Sequence, residues 1–506
     1  MRFKDFHRGA VTSLLAVSVS ISAPATAAAQ ATSSSAAAPT RNANPQDKFA
    51  EARAVIEKTL QEAKVPSLAV AVVKDGKIIW EEGFGWADKE KQVRATAHTP
   101  YSLASMTKPV TATAVMKLHQ AGKLDLDAPI ERYLGGVKLT SHAGSSDGVT
   151  ARRIMSHSAG LPLYGNFYLD GAKPAGSKQT VSKFGMTVFP PGTRFEYSNI
   201  GMKILDAAVE QISGKSYGDY LQREVFRPLG MKNSAVGLPA GTAAAVRYDG
   251  DRKPMNFYMT DHPGSGDVWA SAHDMARFLA FHMGTPLPGQ RQILSTATRL
   301  GMQRPASEFP MSGEPRREIG ANWLLSKVNG HPQVWHSGGQ PGVSTVMSFY
   351  PDQKFALVLL ANSSAPLFPI AQAIRNAIAP EVSPSESEGE RPAPQPIPFQ
   401  GKWVGTVTNY AGKQPLTLTF GDKGEVAVQL ADQASGPLKR AAFGDGALTG
   451  QFDGTSNIPE AKRTSHGFSL KVVPVNGELV GQLIAQGVAE NVAFMLPSFV
   501  RLQPAK

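Results

Sequence analysis

Ser105 and Lys108 stand three residues apart at the opening of a helical pattern that runs over Thr111–Gly122. That spacing puts a hydroxyl and an amine on one helix face. A serine is a weak nucleophile until a base takes its proton, and a lysine stripped of water is such a base. A helix start adds unpaired N–H groups and the positive dipole end, both suited to developing negative charge. Ser-x-x-Lys by itself is equally what a surface helix start would show. Two further segments give it meaning. Tyr197-Ser198-Asn199 follows Pro190-Pro191-Gly192 and precedes a helical pattern over Ile200–Gly214, and His336-Ser337-Gly338-Gly339 lies on a strand pattern near the end of the same region. Each is common alone, and they lie so far apart in the chain that only folding could unite them.

The elements that must position these residues follow from periodicity. Phe49, Ala52, Ile56 and Leu60 recur at helical spacing. Ser67–Val73 is a nearly unbroken apolar run, and Asp75-Gly76 separates it from Ile78-Ile79-Trp80, a hairpin signal. Helical patterns broken by Pro and Gly fill the middle, including Ser271–Phe281. Strands return at Gln333–His336, Val343–Tyr350 and Phe355–Ala361, and a helical stretch follows over Ile370–Ile378. Strands first and last with helices between imply an α/β protein of α+β type, with an antiparallel sheet built from both ends of the region and a helical lobe beside it.

Residues 381–398 are rich in proline, glutamate and serine and read as a semi-rigid linker. Beyond them, Gly401–Val407, Leu416–Phe420, Val426–Leu430 and Leu479–Ile484 alternate as strands do, so 399–506 reads as a small β-barrel module. At the other end, Arg2, Lys4 and Arg8 precede the apolar run Leu14–Val19 and then Ala25–Ala29. This is the order of a cleavable secretory signal over 1–29, with an Ala/Ser/Thr-rich tether over 30–46. A periplasmic or secreted protein is expected, without a membrane span. The domain carrying the three segments is expected to occupy 47–380.

The chain has 506 residues, 42% hydrophobic and 18% charged, with no cysteine. Disulfides, thiol nucleophiles and cysteine zinc sites are excluded. The net charge of +11 is dispersed, with no basic run or aromatic-interleaved patch suited to nucleic acid. No His-Glu-x-x-His appears, and the eleven histidines show no metal-ligand spacing with carboxylates, so neither metal nor cofactor is expected. Asp261-His262 reads as a polar loop, Gly264-Ser265-Gly266 as a turn, and Ser156-His157-Ser158 as a structural segment.

In order, the three motifs resemble those of the penicillin-recognising serine hydrolases, especially the class C β-lactamase, D-aminopeptidase and esterase branch. Ile154–Pro162, Pro191-Gly192-Thr193 and Gly339-Gln340-Pro341-Gly342 extend the resemblance over about 50–380. The C-terminal module is similar to the lipocalin-like barrels appended to such enzymes. The resemblance implies Ser105 as acylated nucleophile and Lys108 as its base. It implies Tyr197 as a proton relay kept ionisable by neighbouring cations. Asn199 would bind substrate or hold Lys108, and the N–H groups of Ser105 and Gly339 would form the oxyanion hole. Gly338 and Gly339 would let the substrate backbone approach closely.

One departure bears on substrate. The β-lactamases and transpeptidases of this superfamily carry lysine where this chain has His336, and an uncharged histidine offers less to a substrate carboxylate. The expected substrates are therefore small esters, amides or peptides, including D-amino-acid peptides, with cell-wall fragments as a further expected ligand. A β-lactamase or DD-peptidase proper and a non-catalytic envelope-binding protein are the alternatives. Oligomeric state is not legible in the sequence.

Overall fold

The computed structural model describes residues 47–238, 241–306, 318–384, 395–462 and 464–505. The signal-peptide and tether expectations, and the middle of the Pro-rich linker, lie outside them.

The first described elements are helix α1 (Ala50–Glu62) and the hairpin β1 (Ser67–Lys74)–β2 (Lys77–Asp88), then the short β3 (Val93–Arg94). Asp75 and Gly76 both take positive φ (48° and 71°), the pairing a tight hairpin turn of matching twist requires. Helix α2 (Thr107–Gln120), strand β4 (Gly165–Leu169), helix α3 (Asn199–Ser213), strand β5 (Tyr258–Thr260) and helix α4 (Ala272–Met283) follow. The region returns through β6 (Glu318–Ile319), β7 (Leu324–Val328), β8 (His331–Gln340), β9 (Val343–Tyr350) and β10 (Phe355–Ala361), and α5 (Phe368–Ile378) comes next.

These strands form one sheet in the order β6-β7-β8-β9-β10-β1-β2-β3. The hairpin from the start of the chain thus pairs with the strand made last, Leu68 opposite Ala361 and Lys74 opposite Phe355. The unbroken apolar run of β1 follows from burial on both faces. Leu68, Val70 and Val72 pack with Ile56 of α1 and Ile374 of α5, whereas Ala69, Ala71 and Val73 join the core beneath the helical lobe. At about 25 cal/mol per Å² of apolar area, such two-sided burial makes β1 one of the main stabilising elements.

Nine strands make the C-terminal sheet: β11 (Gly401–Asn409), β12 (Gly412–Phe420), β13 (Val426–Leu430), β14 (Gly436–Pro437), β15 (Lys439–Gly444), β16 (Ala447–Thr455), β17 (Ser465–Val475), β18 (Glu478–Ala489) and β19 (Val492–Pro504). Their order, β14-β13-β12-β11-β19-β18-β17-β16-β15, gives a nearly closed barrel. It is joined to the rest of the protein by backbone pairing. β19 pairs antiparallel with β4, Met495 opposite Gly165 and Val492 opposite Tyr168, and β4 pairs with β5. Among the described residues no helix is long and apolar enough to cross a membrane.

Candidate active site

Ser105 lies in a single helical turn, Ala104–Met106, immediately before α2. The residue ahead of it, Ala104, is fully buried and takes φ +49°. An alanine in this left-handed region costs about 1–2 kcal/mol and persists only where surroundings hold it. Here Leu103 N donates to Val268 O (2.9 Å), Thr345 Oγ1 donates to Leu103 O (2.9 Å) and Val268 N donates to Thr107 Oγ1 (3.2 Å). Gly338 is part of the same clamp: a Cβ there would lie 2.3 Å from Leu103 O and 2.3 Å from Thr345 Oγ1. Its small size serves packing against the nucleophile turn. Gly339 differs, since a Cβ there would meet open space on the pocket side.

The Lys108 side chain is completely buried, with Nζ 3.0 Å from Ser105 Oγ and 3.0 Å from Ser265 O. It also lies 4.7 Å from the centre of the Tyr197 ring. None of these contacts is a carboxylate, and burial alone drives its pKa well below the usual lysine value. The amine is thereby a base with a lone pair for the Oγ–H proton. The Ser265 carbonyl is itself held from behind. Asp206 Oδ2 accepts from Gly264 N (2.9 Å), Lys203 Nζ donates to Asp206 Oδ1 (2.8 Å), and Thr111 Oγ1 donates to Gly264 O (2.7 Å).

Tyr197 donates its hydroxyl to Ser105 Oγ at 2.8 Å. The His157 ring lies 4.5 Å from it, centre to centre. Ser198 N donates to His157 Nδ1 (3.1 Å) and Glu196 N donates to His157 O (2.6 Å), so the backbone on both sides of Tyr197 is tied to one residue. Burial pushes the phenol above its ordinary range, against the weaker opposing effect of the Ser105 hydrogen bond. This corrects the expectation of a phenol kept ionisable by cations: the amine beside it is itself driven toward neutrality, so Tyr197 keeps its proton.

Asn199 lines the pocket with Ser105, Tyr197 and Gly339. Its amide donates to Tyr164 O (2.8 Å), and no hydrogen bond joins it to Lys108 among the described residues, so the lysine-holding role is not seen. His336 lies on β8 with its ring buried and does not line the pocket. Its Nδ1 lies 2.6 Å from Ser337 O and acts there as an N–H donor. Burial is the main cause that lowers its pKa to about 3, so it stays neutral and offers no cation to a substrate. Past Trp335 the β7 ladder ends, and His336–Gln340 pairs only with β9. That leaves a strand edge facing the nucleophile turn.

The fold also shows residues that the sequence patterns passed over. The Ser265 carbonyl and the Asp206–Lys203 support act through backbone and long-range contacts. Met495, from the C-terminal sheet, lines the same pocket as Ser105. Asp261 and His262, expected in a polar loop, are 2% exposed each; Tyr164, Asn166, Tyr168 and Thr180 all donate to the Asp261 carboxylate. Glu81, His98 and His273, scattered in sequence, bring ligand-type atoms within 4.8 Å of one another. His273 Nδ1 lies 2.7 Å from Glu81 Oε2, a hydrogen bond that holds the Glu81 carboxyl below its usual range, and none of the three lines the Ser105 pocket.

A neutral buried amine, a serine and a phenol within one hydrogen-bond shell is the geometry of acyl-enzyme chemistry. The family model described as Beta-lactamase matches residues 52–379. The chain belongs to the β-lactamase family. It has that family's mixed α/β fold, as the motif resemblance implied, with a nearly closed C-terminal barrel. Protein flp of Staphylococcus aureus is 25% identical over 338 residues, covering 64% of this chain and 65% of that protein. The chain thus spans somewhat under two thirds of that relative's length. A class C β-lactamase has the same fold at 20% identity, with a TM-score of 0.56 over 69% of this chain and 99% of its own. SurE aligns over 89% of this chain and 98% of its own, at 22% identity and a TM-score of 0.63, and one of its structures is described as holding D-Leu.

Proposed function

We propose that this protein is an exported serine hydrolase that cleaves small esters or amides through an acyl-enzyme on Ser105, of the esterase or D-amino-acid peptidase type. The observation that carries the reading is the fully buried, carboxylate-free Lys108 amine at 3.0 Å from Ser105 Oγ. As Oγ bonds to the substrate carbonyl carbon, its proton passes to Nζ and the carbonyl π pair moves onto oxygen. Backbone N–H groups of Ser105 and Gly339 would receive that charge, each worth about 3–4 kcal/mol in comparable sites. Collapse breaks the bond to the leaving atom, which takes the Tyr197 proton, and the Lys108 ammonium restores the phenol. Water then enters by the reverse sequence and releases the acid.

His336 argues against a β-lactamase or DD-peptidase proper, because it supplies no positive charge where those enzymes have lysine. SurE described with D-Leu favours a D-configured acyl part. Periplasmic or secreted location rests on the sequence order of residues 1–29 alone.

The test is a hydrolysis panel of p-nitrophenyl esters, D-amino-acid p-nitroanilides and nitrocefin, run with Ser105→Ala. Expected is ester or D-anilide turnover lost in the variant, with a fluorophosphonate adduct mapped to Ser105. Rapid nitrocefin turnover moves the assignment to β-lactamase. Folded protein without adduct or turnover leaves the envelope-binding alternative.

A further inference from the structure

A cleft of about 370 Å³ opens beside Tyr197, within the size range of small-molecule sites. Leu163, Glu196 and Tyr197 form one side, and every other lining residue belongs to β15–β19 of the C-terminal sheet. The strands present one alternate set of side chains to it. Thr449, Gln451, Ser469, Lys471 and Gln482 face the cleft, while Leu448, Phe452, Val472 and Leu483 fill the barrel core. The outer face of the barrel is therefore a wall of the catalytic region.

This wall is fastened. Lys471 Nζ pairs with Glu196, Gln482 Nε2 donates to Glu196 Oε1 (2.7 Å), and Leu163 N donates to Gln482 Oε1 (3.2 Å). Glu196 and Lys471 thus satisfy each other's charge, and Glu196 is the residue next to Tyr197. Arg440 is different. It lines the cleft without a carboxylate partner among the described residues. Its φ is +52°, and the β15–β16 register breaks between Lys439 and Ala442, so it sits in a β-bulge. Bulges beside active sites re-aim a side chain, here a guanidinium, and the strain of a non-glycine residue in this region is typical of functional positions.

We infer that this cleft receives the leaving group of the substrate and that the leaving group is peptide-like, ending in a free carboxylate that Arg440 binds. The inference rests on the acyl-enzyme reading above. Tyr197 supplies the proton to the leaving atom, so the space beyond Tyr197 is where that atom's substituents extend. The Gln451 amide that faces the cleft can both donate and accept, as a peptide backbone requires, and an unpaired guanidinium matches a carboxylate in a two-pronged bond.

Three substrates with one acyl group test it: p-nitrophenyl acetylglycinate, the acetylglycyl ester of glycolylglycine, and the C-terminal amide of that ester. The wild-type protein is expected to favour the free acid over the amide about tenfold in kcat/KM, the worth of one charge-assisted hydrogen bond. Arg440→Gln removes this preference by raising KM for the acid and leaves the amide and the p-nitrophenyl ester unchanged. Arg440→Lys restores part of it. Equal cleavage of acid and amide by the wild type overturns the inference, as does an equal loss on all three substrates in Arg440→Gln. Turnover of the p-nitrophenyl ester that survives Ser105→Ala overturns the acyl-enzyme reading instead.

Discussion

Two buried lysines stand on neighbouring helices, one touching the helical turn Pro263–Gly266 directly and the other linked to it through Asp206, yet their surroundings are opposite. Lys108 reaches a hydroxyl, a carbonyl and a ring face. Lys203, 3% exposed, reaches the Asp206 carboxylate at 2.8 Å. A carboxylate partner anchors a buried amine, while burial without a counter-charge leaves its lone pair available to accept a proton. The single helical turn Pro263–Gly266 joins the two, because Asp206 holds the Gly264 N–H and the Ser265 carbonyl holds Lys108. One lysine fixes structure, and the other is left free to take a proton.

The sharpest way to break this contrast is Lys108→Met, which keeps an unbranched chain and removes the lone pair. Ester turnover is expected to fall by about 10²–10⁴-fold, the range for losing a general base, with the melting temperature retained or raised. A small loss of kcat would place the base elsewhere.

Lys203→Met should act on stability first. It leaves the buried Asp206 carboxylate alone, at a cost of about 3–5 kcal/mol by chemical denaturation, and Lys203→Met/Asp206→Leu should recover most of it. Burial already pushes Asp206 up to about 7 despite Lys203, which means the folded protein holds that proton more tightly than the unfolded chain. Stability from this group is complete below the carboxylate's unfolded range and is lost as pH rises through about 7. The single variant should therefore be less impaired at pH 5 than at pH 8; the reverse order would contradict the placement of the proton.

The smallest effect expected is in the pH profile of kcat/KM. Activity falls as pH drops through the depressed Lys108 pKa, because the protonated amine cannot accept from Ser105. Tyr197, raised by burial, and His336, at about 3, add no alkaline limb between pH 5.5 and 8. An alkaline limb there that vanishes in His336→Asn would show a histidine working as a cation.

What the sequence discloses of this site is its local grammar. Ser105 and Lys108 are a turn apart, Asp75-Gly76 dictates a hairpin, and the two-faced apolar β1 announces a central strand. What it conceals is made by tertiary contact. Ser265 contributes a carbonyl, which every residue has, so no side-chain pattern marks it. Asp261 and His262 look like loop residues until four donors are folded around the carboxylate. Glu81, His98 and His273 come from a strand, a loop and a helix, with no common period. The motif resemblance marks His336 as a departure from lysine, but its burial and its bond to Ser337 O depend on packing that no spacing reveals.

The wall across the cleft has a kinetic side. Its fastening bonds, Lys471 to Glu196 and Gln482 to Glu196, close loops of 275 and 286 residues. The nucleophile and its base are three residues apart and need no such closure. Contacts of such long separation carry the greater entropic cost and lie among the later ones to form. The nucleophile and its base are thus joined locally, whereas the wall that selects the leaving group is held only by contacts that close very long loops of chain.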